Sequence, residues 1–264
     1  MQQSHVKTAR QIAALAWREI GEYLSSPVFF VLAALFHFII GLFFMQFLVD
    51  LLEFYTDPVK RSAFKGELNL SVMIVSNVYS LANILLLFFV PLVTMRLVAD
   101  EKRLGIFELL VSTPVSDWAL IAGKALGVGV LTALLALSIL IYPYTASQLG
   151  AIEWGIVISG TLGLVFLTVA YTCFGVFASC LSDNPIIAAI VALGGLLLFA
   201  FLAYIGPNNS HFLSNALRGF SFGLRQKEFF NGMLRFEDFL YLVFFSGFWL
   251  FAAVRVIEAR RWKQ

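Results

Sequence analysis

Charge is spread along this chain so that six long intervals contain no Asp, Glu, Lys or Arg: residues 23–49, 68–95, 125–152, 154–182, 184–217 and 239–254. A helix needs roughly 20 apolar residues to cross about 30 Å of hydrocarbon, and it suits that medium because it closes its own backbone hydrogen bonds. Each interval is therefore read as a span, predicted at 28–49, 77–98, 120–142, 154–181, 186–205 and 239–254. The last is short, but Asp238 and Arg255 at its ends can reach the interface. Composition agrees: 13% of residues are charged and 60% hydrophobic, where a soluble domain carries about a quarter charged. The fold class is an all-α polytopic membrane protein, read as one transmembrane domain over residues 1–264.

A charge within these runs would cost about 2.5–3.5 kcal/mol. Its absence argues against a proton pump or charge-relay transporter, whose intramembrane acids and bases mark the pathway. With the N-terminus inside, the inner segments hold 11 Lys and Arg and the outer segments 7, which favours both termini in the cytoplasm. Acidic residues divide 8 and 8, and a net charge of +2 gives no reason to expect nucleic acid as a partner. Cys173 and Cys180 lie two turns apart on one predicted helix, about 10 Å by helix rise, too far for a disulfide. They read as small apolar residues. Residues 1–27 are too long and too mixed in charge for a signal peptide, so the first span is expected to stay attached.

Residues 6–24 place Ile12, Ala13, Ala16, Trp17, Ile20 and Leu24 on one side of a helical wheel and Lys7, Arg10, Gln11, Arg18 and Glu22 on the other. This is the pattern of an interfacial helix, shared with a soluble helix packed on another subunit. Pro27 suits the first turn of the next helix. His37 is expected as a neutral imidazole bonded to a neighbouring helix, because no acid or second His accompanies it. Asn83 offers an interhelical hydrogen bond, and Pro91 frees a carbonyl and permits a kink. Gly123 and Gly127 permit close helix approach, Lys124 can snorkel to the headgroups, and Pro143 is expected to end the third span. Gly123-Lys124 is not a nucleotide-binding loop, since Ala125 follows and the upstream glycine spacing is missing. The fourth span is rich in Gly, Ser and Thr, as in helices packed on helices, and Asp183 is expected to cap the fifth. Phe212, Leu213, Ala216, Leu217, Phe220 and Leu224 recur at helical spacing, so this outer segment either dips into the outer leaflet or lies flat on the bundle.

The most informative interval runs from Arg96 to Lys124. Asp100, Glu101, Lys102 and Arg103 open it, Ile106, Phe107, Leu109 and Leu110 give it an apolar side, and Pro114 stops any helix. A short amphipathic helix at the water interface is expected, although any loop between spans collects basic residues. Arg96-Leu97-Val98-Ala99-Asp100-Glu101, Gly105-Ile106-Phe107-Glu108-Leu109-Leu110, Ser112-Thr113-Pro114-Val115 and Gly123-Lys124 resemble the first cytoplasmic loop of ABC-2 type permeases, the membrane subunits of one class of ABC transporter. Asp100 stands where that pattern has its first Glu, and Ile106 where it has Thr. Residues 18–27 resemble the family's elbow helix, and Phe229-Phe230-Asn231-Gly232 with Glu237-Asp238-Phe239-Leu240-Tyr241 resembles the end of its pattern. Within the family the likeness leans toward the gliding-motility-associated and copper-maturation-like permeases.

The resemblance implies a cytoplasmic elbow helix over 1–27, a coupling loop over 99–119 and an extracytoplasmic re-entrant segment over 206–238. It implies the permease subunit of an exporter in a bacterial cytoplasmic membrane, paired with a second permease chain, identical or related, and bathed by membrane lipids. A separate cytoplasmic ABC ATPase would hold the ATP and Mg, leaving the chain itself without a catalytic residue, cofactor or metal. Coupling to that ATPase would fall to Glu101, Gly105, Ile106, Phe107, Glu108, Leu110 and Pro114. Glu101 and Glu108 would meet its basic residues, Ile106, Phe107 and Leu110 would fill its groove, and Gly105 would allow close approach. The outer segments leave room for an auxiliary extracytoplasmic protein. The alternative is a membrane scaffold that transmits force without moving a solute. An intramembrane enzyme would need convergent catalytic groups at one depth, and only His37 and scattered Ser and Thr are on offer.

Overall fold

The computed structural model describes residues 2–57, 70–105, 116–202 and 219–261, with side chains from Thr8 onward except those of Tyr55, Leu70 and Arg261. Among the described residues every regular element is helical. Helix α1 covers Gln2–Ser25 and α2 Pro27–Thr56; the second hydrophobic run is divided into α3, Leu70–Ile74, a π-helical turn, Val75–Tyr79, and α4, Ser80–Thr94. Short α5, Ala99–Arg103, follows, then α6, Asp117–Leu137, a tight 3-10 turn, Ser138–Leu140, and α7, Ile141–Ala146. Helices α8, Trp154–Leu181, α9, Pro185–Phe201, α10, Phe222–Phe230, and α11, Phe236–Arg261, complete the described elements.

Among the described residues five stretches are long and apolar enough to cross a membrane: Pro27–Phe54, Ser71–Arg103, Asp117–Ala146, Trp154–Leu181 and Phe236–Arg260. The chain is an integral membrane protein. Helix α9, where a fifth span is expected, is an apolar helix of 17 residues. Helices overrun several predicted ends because polar residues at a terminus can sit in the headgroup layer. Thus α2 continues past Asp50 to Thr56, and α11 begins three residues before Phe239 and passes Arg255. Pro143 does not stop the third span. It is the third residue of α7, in a first turn where its missing N–H leaves no helical bond unmade.

Helix α8 is the post around which the rest is packed, with 72% of its apolar window buried against 22% for α2. Its glycines are contact points: a Cβ at Gly160 would lie 2.6 Å from Val75, one at Gly163 2.5 Å from Phe229, and one at Gly175 2.2 Å from Thr94. Each therefore admits a neighbouring side chain that Ala would push away. An aromatic cluster of Phe174, Phe199, Phe222, Phe245 and Trp249 joins α8, α9, α10 and α11. Asn83 makes the interhelical bonds expected of it, donating to Gln226 at 2.8 Å and accepting from Tyr171 at 3.0 Å. His37 bonds Ala33 O through Nδ1 and Ser138 Oγ through Nε2, so the imidazole ties α2 to the third span.

Candidate functional site

At the end of the bundle where α1 lies, the second span is interrupted after Thr94, and the backbone groups released there are each met by a neighbour. Leu97 N turns to Thr94 O, which leaves Val93 O without its helical partner, and the Tyr23 hydroxyl donates to it at 2.7 Å. Burial pushes the Tyr23 phenol above its ordinary value, and Glu19 and Glu22 act in the same direction, so it remains a neutral donor. Ser179 of α8 serves three groups: its hydroxyl donates to Met95 O at 3.0 Å and accepts from Val98 N and Ala99 N, both at 3.1 Å. In a dry interior an unmet amide costs about 1–3 kcal/mol, so these bonds let the chain leave the helix and begin α5.

Helix α5 is bound to four other parts of the protein. Lys124, 1% exposed, donates from Nζ to Glu19 Oε1 at 2.7 Å and to Glu101 Oε1 at 2.8 Å. Arg18 reaches the same Glu101 oxygen at 3.0 Å, Glu19 at 3.2 Å and Glu22 at 3.3 Å. Three carboxylates thus surround two cations, and Glu101 Oε2 is buried with no hydrogen-bond partner among the described residues. Burial acts to lower the Arg18 pKa, but the Glu19, Glu22 and Glu101 carboxylates outweigh it and raise the group above its ordinary value. On the other side, Lys102 donates to Cys180 O at 2.5 Å and lies 4.0 Å from Asp183, which also takes Arg260 of α11 at 2.7 Å. One short helix is therefore fastened to α1, α6, the end of α8 and the start of the α8–α9 turn.

Close packing brings these charges together. Gly123 and Gly127, one turn apart with Lys124 between them, lie on the side facing α1, where a Cβ would lie 2.6 Å from Leu15 Cβ and 2.8 Å from Ala16 O. With the backbones this near, Glu19 meets Lys124 directly. A cleft of ≈ 420 Å³ opens beside the cluster, between apolar Phe29, Leu32 and Leu92 and the charged rim of Arg18, Glu22, Arg96 and Asp100.

Several sequence expectations change here. Lys124 does not snorkel; it is buried and paired, because α1 covers it. Asn184, not Asp183, caps α9 by accepting from Ile186 N. Helix α5 ends at Arg103, and Gly105 follows with φ +71°, the left-handed conformation that glycine adopts without strain; the rest of the amphipathic helix expected over 100–114 lies outside the described residues. Among the residues expected to couple to an ATPase, Glu101 turns its carboxylate inward onto Lys124 and Arg18, while a Cβ at Gly105 would meet none of the described residues within 4 Å. Ile106, Phe107, Glu108, Leu110 and Pro114 lie outside the described residues. Glu19 was missed. Its signal was an acid on the stripe of Ile12, Leu15, Ala16 and Tyr23, and its partner was the one Lys within the first turns of an otherwise apolar helix.

Comparison with curated proteins gives no match. A family model described as ABC-2 family transporter protein matches residues 60–255, from before α3 to the last turns of α11, and so includes Glu101 and Lys124. This supports a permease component of an ABC transporter, the transmembrane subunit in a family that works with a cytoplasmic ATPase and normally lacks nucleotide-binding motifs of its own. By that match over most of its length, the chain belongs to the ABC-2 family of transporter proteins.

Proposed function

We propose that this chain is the permease of an ATP-driven exporter in a bacterial cytoplasmic membrane, with both termini in the cytoplasm, and that the segment from Glu101 to Pro114 is where a separate ATPase takes hold. The observation that carries this reading is the fastening of α5. A push on the segment beyond Gly105 is transmitted through Glu101 to Lys124 on the third span and to Arg18 on α1, and through the backbone to the second span. Gly105 marks the change from the fastened root to the part offered to the partner. There Ile106, Phe107 and Leu110 supply apolar contact, Glu108 a charge for the basic residues of the ATPase, and Pro114 an end to the contact. Glu101 holds the root. A second permease chain completes the transport pathway, α1 lies along the inner leaflet with Trp17, 77% exposed, toward lipid, and residues 206–238 form the re-entrant segment. For the last point the support is the depth of α10: Phe222 meets Tyr171 with ring centres 5.2 Å apart, about 25 Å along α8 from Trp154.

The reading is tested by co-expressing the chain with its ATPase. Phe107→Ala combined with Glu108→Lys is expected to abolish co-purification of the two subunits and substrate-stimulated hydrolysis, with the permease still folded by its thermal midpoint. Unchanged association and turnover would refute the docking assignment.

A further inference from the structure

At the end of the bundle remote from α1, the second half of α2 and residues 73–84 leave between them a groove of ≈ 810 Å³. A space of this size accommodates a small ligand or much of an amphiphile. Its lining is graded. Ile40, Phe44 and Ile84 line the deeper part, whereas Gln46, Asp50, Ser76 and Asn77 line the part toward the helix ends. Asp50 lies about 15 Å beyond Ile40 by helix rise, and Ser76 about 12 Å from Ile84. The two helices run antiparallel, with Phe36 against Phe89 at one level and Phe54 and Met73 both at the groove at the other, so both gradients point the same way. With the span beginning at Pro27, Ile40 falls about 20 Å along α2, within about 30 Å of hydrocarbon, and Asp50 about 35 Å, beyond it.

The polar side is built into the helix and not borrowed from a loop. The π-helical turn Val75–Tyr79 keeps Val75, Val78 and Tyr79 buried while Ser76 and Asn77 are exposed together. Such turns interrupt an α-helix at some cost and are frequent at functional sites. This one is fixed from behind by α8, where Gly160 makes room for Val75 and Thr161 bonds the Tyr79 hydroxyl at 2.9 Å. Among the described residues Asp50 is the one ionisable residue lining the groove, and Gln46 donates to it at 2.9 Å. Among the described residues of the lining, an anionic headgroup would meet that carboxylate with no cation to offset it. A hydroxyl-rich, uncharged headgroup would instead find an acid, two amides and two hydroxyls, counting Ser80, that donate and accept.

We propose that this groove binds an amphiphile with an uncharged, hydroxyl-bearing headgroup, apolar tail toward Ile40 and Ile84 and headgroup toward Asp50 and Asn77. Calling that ligand the cargo rests on the permease reading; the binding does not. The full chain is reconstituted in vesicles of equal monoglycosyl diacylglycerol and phosphatidylglycerol, with p-benzoylphenylalanine in place of Phe43, which lines the groove, or of Phe38, exposed outside it. After irradiation, adducts are identified by mass spectrometry. At position 43 the glycolipid is expected to be enriched several-fold over its yield at 38, Asp50→Lys is expected to reverse the preference toward phosphatidylglycerol, and Asn77→Leu is expected to weaken the enrichment. Equal ratios at the two positions, phosphatidylglycerol enriched at 43, an Asp50→Lys preference like that of the parent, or adducts consisting of a second copy of the chain would each overturn the proposal. No ATPase is present, so failure here leaves the docking assignment standing, and failure of docking leaves the groove standing.

Discussion

Lys124 has one charge and two close carboxylate oxygens, at 2.7 and 2.8 Å, in a place that water scarcely reaches. For such a group the cost of removing one partner differs from the cost of removing the set. Lys124→Met takes the closest cation from Glu19 and Glu101 in a poorly solvated site, leaving them Arg18, and is expected to destabilise the protein by up to about 3–5 kcal/mol. Lys124→Met with Glu19→Leu, which deletes the buried pair and restores apolar packing, is expected to recover most of the loss, because the desolvation of both ions is also removed. Thermal midpoints of the detergent-solubilised single and double variants decide it; a double variant as unstable as the summed singles would show that the two side chains act independently. The sequence led toward a different fate for this lysine because a cation near the start of a span ordinarily reaches the headgroups. What reversed it was α1, whose Glu19 is 105 positions away in the chain. No local pattern contains such a pairing.

Among elements, α8 shows how glycine spacing encodes neighbours. Gly163→Leu is expected to expel Phe229 and detach α10, since even a Cβ would lie 2.5 Å from that ring, whereas Gly129→Ala on α6, with nothing within 4 Å, is expected to be tolerated. Protection of the Phe222–Phe230 amides in hydrogen exchange would separate the two, falling for the first variant and unchanged for the second. Much of this level was legible in advance. Charge-free runs located the long helices, small residues in the fourth run marked it as packed, and Asn83 announced a polar contact within the apolar core. The ends were less legible. Pro143, Asp50 and Arg255 read as terminators, yet each sits where a helix can take it, in a first turn or at headgroup depth. The π-helical turn left no sequence signal at all, because it is imposed by Gly160 and Thr161 of another helix.

For the molecule as a whole, the decisive matter is which face of the membrane carries the α5 end. Ser112→Cys is expected to resist a membrane-impermeant maleimide applied to intact cells and to react once the cells are opened; Cys173 and Cys180, both buried, need not be replaced. Labelling from outside would place the segment on the wrong side for an ATPase. A partner that works this bundle from within the cell must move a membrane helix without tearing its backbone from its hydrogen bonds. The interruption after Thr94 meets that demand. Since the Ser179 hydroxyl already holds Met95, Val98 and Ala99, the chain there can swivel about one fixed oxygen, so that if α5 is pushed as proposed no amide need be bared to oil.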